Sequence, residues 1–334
     1  MRALYQRSDF PSYRGCRKSH QSRVIYPTYD AWTEAFGYLL ACCLEDAGLE
    51  LHGGSLFVTH EHFHVGHPHY DDAMVEARYS RLWEEFHFLV WRLLMSRGWK
   101  FGPAYSRLER THQGPVLDAD EFWRTICYDT AQAVAAGFFK RSGDYPGLVF
   151  LPEDVLTPRV FSRNSLIDEL DPERQRFPKK EVSIQLGIPR IFSHLTRKQY
   201  SDAFAKKLKD YEDDVGPKRV HTKSRAVENC HSLSLGKRLS LDDILEKTRG
   251  HQPPPNFARG FSPFYSSKTE IKLSFKEERT QFHRKHKDAY DGMKAGKPNV
   301  KFPSGTYGWR RLLNVEVEPP ESTAWANQPL WWPD

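Results

Sequence analysis

"LELHGGSLFVTHEHFHV", residues 49–65, decides how this chain is read. It is rich in strand formers and interrupted at Gly53-Gly54, so it reads as two strands or one bent strand. Side chains alternate faces along a strand, which puts His60, His62 and His64 on one face and Phe57, Glu61, Phe63 and Val65 on the other. Two imidazoles one residue apart on a strand can ligate a single cation. The plain alternative is a structural or exposed pair in a histidine-rich region, since His52, His67 and His69 lie nearby.

Outward from this stretch the apolar spacing becomes helical. Trp32, Phe36, Leu39, Leu40, Cys43 and Leu44 recur at three- and four-residue steps, predicting a helix over Asp30 to Ala47 that stops at Gly48. Met74, Tyr79, Leu82, Trp83, Phe86, Val90 and Leu94 predict a second, from about Asp72 to Ser96. "AYSRLERTHQGPVL" follows as a strand, and then a helix with Asp118 as cap, Glu121 completing a capping box and Gly137 as its end. With a strand before the first helix, the order is strand, helix, strand, strand, helix, strand, helix. That alternation fits an α+β sandwich with helices on a mainly antiparallel sheet.

After "SGDYPG" (142–147) prolines multiply and long periodic stretches become few, which sets a boundary near residue 157. Beyond it lie charged helices at about 196–214 and 268–292, a serine- and lysine-rich connector and the "QPPP" break at 252–255. This second half reads as an appended, partly flexible region. No internal repeat is found.

Composition narrows the class. The 334 residues are 39% hydrophobic and 28% charged, as in a soluble globular protein. No run of about 18 apolar residues occurs, which argues against a membrane helix. The N-terminal letters lack an apolar secretory core, so a cytoplasmic location is expected. The five cysteines form no CxxC pair, which signals neither a zinc knuckle nor a disulfide framework. A net charge of +6, with basic clusters at 14–23 and 283–287, favours an anionic partner, although each cluster also suits a solvated face.

Two metal motifs can be tested against the letters. A metallo-β-lactamase HxHxDH pattern needs Asp at 64 and His at 65, where the chain has His64 and Val65. An HExxH zinc hydrolase would use His60, Glu61 and His64, but it requires a helix where the residues favour a strand. The capped helix supplies further donors. At 100° per residue, Phe122, Trp123, Ile126, Ala133 and Val134 fill an arc of roughly 120°. Tyr128 and Gln132 fall outside it, on one side together because they are four apart. The plain alternative for Tyr128 is a partly buried tyrosine with its hydroxyl in water.

Taken jointly, these residues resemble the single-tyrosine HUH transposases that act on single-stranded DNA, especially the REP-associated tyrosine transposase branch. His62-Phe63-His64 looks like the family's His-hydrophobe-His strand, and "YDTAQAVAAGF" (128–138) with "DYPG" (144–147) looks like its tyrosine block. "KFPSGTYGWRR" (301–311) resembles a phrase near the end of longer members. Gln132-Ala133 replaces a usual Asn-Pro, and Glu61 stands where Asn is commoner. The resemblance implies a ferredoxin-like catalytic domain over 1–157, followed by a C-terminal extension, 158–334, of unknown role. It implies that Tyr128 attacks a phosphodiester to leave a 5′-phosphotyrosine, and that His62, His64 and Gln132 hold Mg²⁺ or Mn²⁺. The expected partner is single-stranded or hairpin DNA, with Arg14, Arg17, Lys18 and Arg23, in a first loop, on its phosphates; a homodimer is left open. A catalytically inactive or domesticated nucleic-acid-binding protein on the same fold is the competing expectation.

Overall fold

A computed structural model of the chain describes residues 12–18, 26–28, 30–57, 60–66, 72–96, 112–136, 139–219, 266–303 and 316–318, with the backbone alone at residues 17, 18, 72–77, 80, 112, 113, 216–219 and 317. Its first seven elements follow the order read from the sequence. They are β1 (Ser12–Lys18), α1 (Asp30–Ala47), β2 (Glu50–Phe57), β3 (His60–Gly66), α2 (Asp72–Ser96), β4 (His112–Val116) and α3 (Ala119–Thr130). With β5 (Leu148–Phe150), the strands form one sheet in the order β4-β1-β3-β2-β5. Every pairing in it is antiparallel. A βαββαβ unit with strand order 4-1-3-2 is the ferredoxin-like arrangement, and β5 extends it at the β2 edge.

The two faces of the sheet do different work. Phe63 points from β3 toward α2, its ring 5.3 Å from that of Trp83, and both are buried with Tyr13, Val65, Phe86 and Val90. Each such side chain removed from water contributes about 1.5–3 kcal/mol, so α1 and α2 are fixed on this face largely by area. The opposite face, with the even-numbered histidines, is covered by α3.

The glycine pair plays a different part from the break expected of it. β2 runs through Gly53-Gly54 as one strand, and its register against β3 shifts between Leu51 and Gly53, the mark of a bulge. Gly53 and Gly54 take φ of 148° and 136°. A Cβ on Gly54 would run into the His62 carbonyl oxygen. Only glycine lets β2 pass this close to the histidine strand. Phe57, expected opposite the histidines, belongs to β2 and pairs with His60, their rings 5.3 Å apart.

Asp118 caps α3 as expected, its carboxylate accepting the Glu121 amide at 2.8 Å. The Glu121 carboxylate is bound by Arg124, at 2.5 and 2.8 Å. The helix expected to continue to Gly137 breaks at Ala131 and resumes as α4 (Gln132–Ala135); Gly137 lies outside the described residues.

Apolar residues on both sides of residue 157, Val155 and Phe161 among them, belong to one buried cluster. β6 (Arg159–Ser162) and β7 (Glu181–Ile184) pair antiparallel beside α5 (Ser165–Leu170). Phe161 lies where a side chain on Gly37 of α1 would be. Trp123 of α3 stacks on Tyr200 of α6 (Arg197–Arg219), ring centroids 5.5 Å apart. Farther on, α7 (Thr269–Lys294) and the parallel pair β8 (Lys301–Phe302) and β9 (Glu316–Val317) make the C-terminal region mainly helical. Among the described residues no helix is long and apolar enough to cross a membrane. Among the described residues, Cys16, Cys42, Cys43 and Cys127 form no disulfide.

Candidate active site

The α3 face of the sheet gathers polar side chains that an apolar layer would otherwise fill. Strand register sets the first group: Arg14 of β1 stands opposite His64, Cys16 opposite His62, and Ser55 of β2 opposite His62 on the other side. Helix α3 adds Asp129, which is fully buried. Its carboxylate accepts from Arg14 Nε at 2.6 Å and Nη2 at 2.5 Å, from His64 Nε2 at 2.8 Å, and lies 3.1 Å from His62 Nδ1. Ser55 donates to the Asp129 main-chain carbonyl at 2.5 Å.

Burial alone would push the Asp129 carboxyl up. The Arg14 guanidinium, His62, and the hydrogen bonds from Arg14 and His64 outweigh it and hold the group well below the usual carboxylate range. Burial also pulls His64 below the ordinary histidine value, against the Asp129 hydrogen bond, which acts the other way. An ionised Asp129 beside neutral His64 follows, with His64 donating through Nε2 and its Nδ1 buried without a hydrogen-bond partner among the described residues.

Toward the surface the arrangement opens. Tyr128 is 36% exposed, its ring edge-on to His62 with centroids 5.9 Å apart. The Arg14 guanidinium carbon lies 5.8 Å from the Tyr128 ring centre. His60, partly buried, has its Nε2 2.9 Å from Gln132 Oε1, and the Gln132 amide nitrogen donates to the Tyr128 carbonyl at 2.9 Å. His60 and His62 meet edge-on at 4.8 Å. One face therefore carries a tyrosine, three imidazoles, an amide and a buried carboxylate.

Of the residues the sequence singled out, Tyr128 and His62 are brought together, His64 sits deeper on Asp129, and Gln132 meets His60. The first-loop expectation is corrected: residues 14, 17 and 18 belong to β1, because that strand is paired on both sides. Arg14 points inward to Asp129, the side chains of Arg17 and Lys18 are not described, and Arg23 lies outside the described residues. The HExxH alternative is also overturned. On a strand Glu61 faces away from the histidines, and its carboxylate takes Tyr26 Oη and His87 Nε2 on the α2 side.

Sequence reasoning missed Asp129. On the same helical wheel it falls next to Phe122, at the edge of the apolar arc. A carboxylate in a core-facing stripe must find a buried cation or donors, and that was the available signal.

The donor chemistry fits a divalent cation: the amide oxygen and water suit Mn²⁺ or Mg²⁺, and the imidazole nitrogens suit zinc and its transition-metal neighbours. Among the described residues no group of three His, Cys, Asp or Glu forms a metal cluster, so such an ion would need the Gln132 oxygen.

No family model and no curated protein matches the chain. Among solved structures it is similar to a REP-associated tyrosine transposase bound to a REP hairpin, at 13% identity and a TM-score of 0.34, covering 47% of this chain and 87% of that one.

Proposed function

We propose that this chain nicks and rejoins single-stranded DNA in a metal-dependent, transposase-like reaction, with Tyr128 as nucleophile. The observation that carries the reading is the partly exposed Tyr128 ring held edge-on to His62, 5.9 Å between centroids, at the mouth of the histidine face. A phenol is a weak nucleophile at neutral pH and needs a site that favours its attack. In the proposed step the Tyr128 oxygen forms a bond to phosphorus and the P–O3′ bond breaks. The phenolic proton ends on the departing 3′ oxygen, which leaves as a hydroxyl, and the 5′ phosphate stays on the tyrosine. The 3′-hydroxyl of a second strand reverses the step and completes transfer. A divalent cation among the β3 histidines and Gln132 would neutralise charge on the non-bridging oxygens, a Lewis-acid effect of several kcal/mol.

The chain's own residues orient this step. Asp129 fixes His62 and His64 from behind, as carboxylates do for ligating histidines, and Arg14 compensates its charge. Gln132 ties its amide to the Tyr128 carbonyl and so couples the nucleophile's turn of helix to the histidine face. Arg17, Lys18 and Arg23 are proposed for phosphate contacts, with Arg14 retained by Asp129.

The test is covalent capture of a 3′-labelled hairpin oligonucleotide in Mn²⁺. The wild-type chain should form a denaturant-resistant adduct and Tyr128→Phe none, with hairpin affinity changed by less than about threefold. Equal capture by Tyr128→Phe would remove the tyrosine from its role. Salt-sensitive binding without capture by the wild type would favour the non-catalytic binder.

A further inference from the structure

Helix α7 separates its charges by face. At 100° per residue, Lys272, Lys276, Arg279, His283, Lys287 and Lys294 fall within an arc of about 80°. The acids of the helix, Glu270, Glu277, Glu278, Asp288 and Asp291, all lie outside that arc, and Arg284 and Lys285 stand among them. A helix that is merely solvated mixes its signs along each face, because opposite charges three or four residues apart stabilise it. Lys272 and Lys276, four apart, repel one another instead, an arrangement that an anionic partner relieves. Resting on the reading that the substrate is hairpin DNA, we propose that this face binds the duplex stem of the hairpin through its phosphates.

Packing holds the helix with the stripe turned outward. Phe275, Phe282, His286 and Ala289 are buried on the neighbouring arc, Phe275 as part of the main core cluster and His286 with its ring 5.3 Å from that of Phe302. Lys272, Lys276, Lys287 and Lys294 are exposed. At the approach to α7, Ser266 and Ser267 donate to Asp118, the cap of the helix that carries Tyr128. Along α3 the cap and Tyr128 are about 15 Å apart. The beginning of the stripe is therefore tied to the nucleophile's own helix.

Length and composition favour a duplex over a single strand. From Lys272 to Lys294 the stripe runs about 33 Å, close to one turn of B-form DNA, about 34 Å. A duplex already holds its phosphates in a rigid array over that length, one charge per about 1.7 Å of axis, whereas a single strand would have to be ordered along the helix. Single-strand binders also present aromatic faces on which unpaired bases stack. On this stripe Tyr290 has the Lys294 ammonium over its ring, 5.2 Å from the centroid. The face suits phosphates rather than bases.

Fluorescence anisotropy on the full-length chain, with a DNA duplex of about two turns and an oligo-dT strand of equal length, tests this without reference to cleavage. Lys272→Gln/Lys276→Gln and Arg284→Gln/Lys285→Gln remove the same charge from the same helix, on the stripe and off it, and all four side chains are exposed. At about 0.1 M salt the first pair should weaken duplex binding about tenfold and lower the slope of log affinity against log salt by roughly two, while the second should stay within about twofold of wild type. Equal losses in the two variants would overturn the proposal, as would a wild-type chain that binds no duplex, or a loss on oligo-dT as large as that on the duplex. Binding to phosphatidylglycerol vesicles that falls only in the first variant, with duplex binding unchanged, would assign the stripe to a membrane surface and overturn it too. A chain that captures a hairpin at Tyr128 while its stripe variant binds duplex like wild type loses this proposal alone. Stripe-dependent duplex binding in a chain that never captures DNA would instead remove the nicking reading and leave the stripe standing.

Discussion

Asp129 carries a negative charge into a fully buried position and survives there because Arg14 meets it with two hydrogen bonds. Removing one member of such a pair strands the other, at a cost of about 3–5 kcal/mol. Arg14→Met should therefore lower unfolding stability by about that amount in urea titration, and a loss below about 1 kcal/mol would mean that the pair is not what holds the carboxylate. His52 gives a pH signature. Buried beside Ser12, its imidazole is pulled by burial down to about 3 from 6.5. Above 6.5 it is neutral in both states and contributes nothing to pH dependence. Below that value the unfolded chain takes a proton that the folded chain refuses until about 3. Stability is then lost as pH falls, by roughly 1.4 kcal/mol per unit in that window. Denaturation at pH 7.5 and 5.0 should show the decline, and His52→Gln should make it shallower; an equal slope in the variant would exclude His52 as a source. At this scale legibility was uneven. His62 and Tyr128 were readable because strand and helix periodicities each expose them, whereas Asp129 and Arg14 explain one another only once β1 and α3 are known to lie on the same face.

Elements were the most legible level. α1 and α2 were readable because long amphipathic periods leave little choice of boundary, and the cap at Asp118 placed the start of α3. Two features escaped. Gly53-Gly54 was taken for a break, because glycine signals a turn and a bulge with the same letters; the pairing with β3, a tertiary fact, selects the bulge. The interruption of α3 at Ala131 had no marker either, since alanine is the strongest helix former. The bulge is testable. Gly54→Ala would need an unfavourable φ and would press on the His62 carbonyl, so it should destabilise the fold by about 1–3 kcal/mol or more. Its hairpin-capture activity should fall further than stability alone predicts, because β3 carries the histidines. Wild-type stability would contradict the close approach of β2 and β3.

The whole molecule ties its late segments to the site through Asp118. Besides capping α3, this carboxylate accepts from Ser266 Oγ at 2.6 Å, Ser267 N at 3.0 Å and Ser267 Oγ at 2.8 Å, at the approach to α7. Sequence texture suggested an appended, partly flexible second half because prolines thicken after residue 146. The apolar residues that bind it back, Phe161, Tyr200 and Phe204, are too widely spaced to read as one core before folding. Asp118→Ala should cost about 1 kcal/mol for the cap and speed amide exchange in α7, read by mass spectrometry. Unchanged exchange in α7 would detach that helix from the account.

The central claim is the covalent bond at Tyr128. Its most direct measurement is mass spectrometry of the tryptic peptide 125–140 after reaction with a hairpin oligonucleotide and nuclease trimming. A nucleotide attached through a 5′ phosphate to Tyr128 is the result expected. An adduct mapped to another residue, or an unmodified peptide in a sample where the hairpin has been cut, would contradict the account.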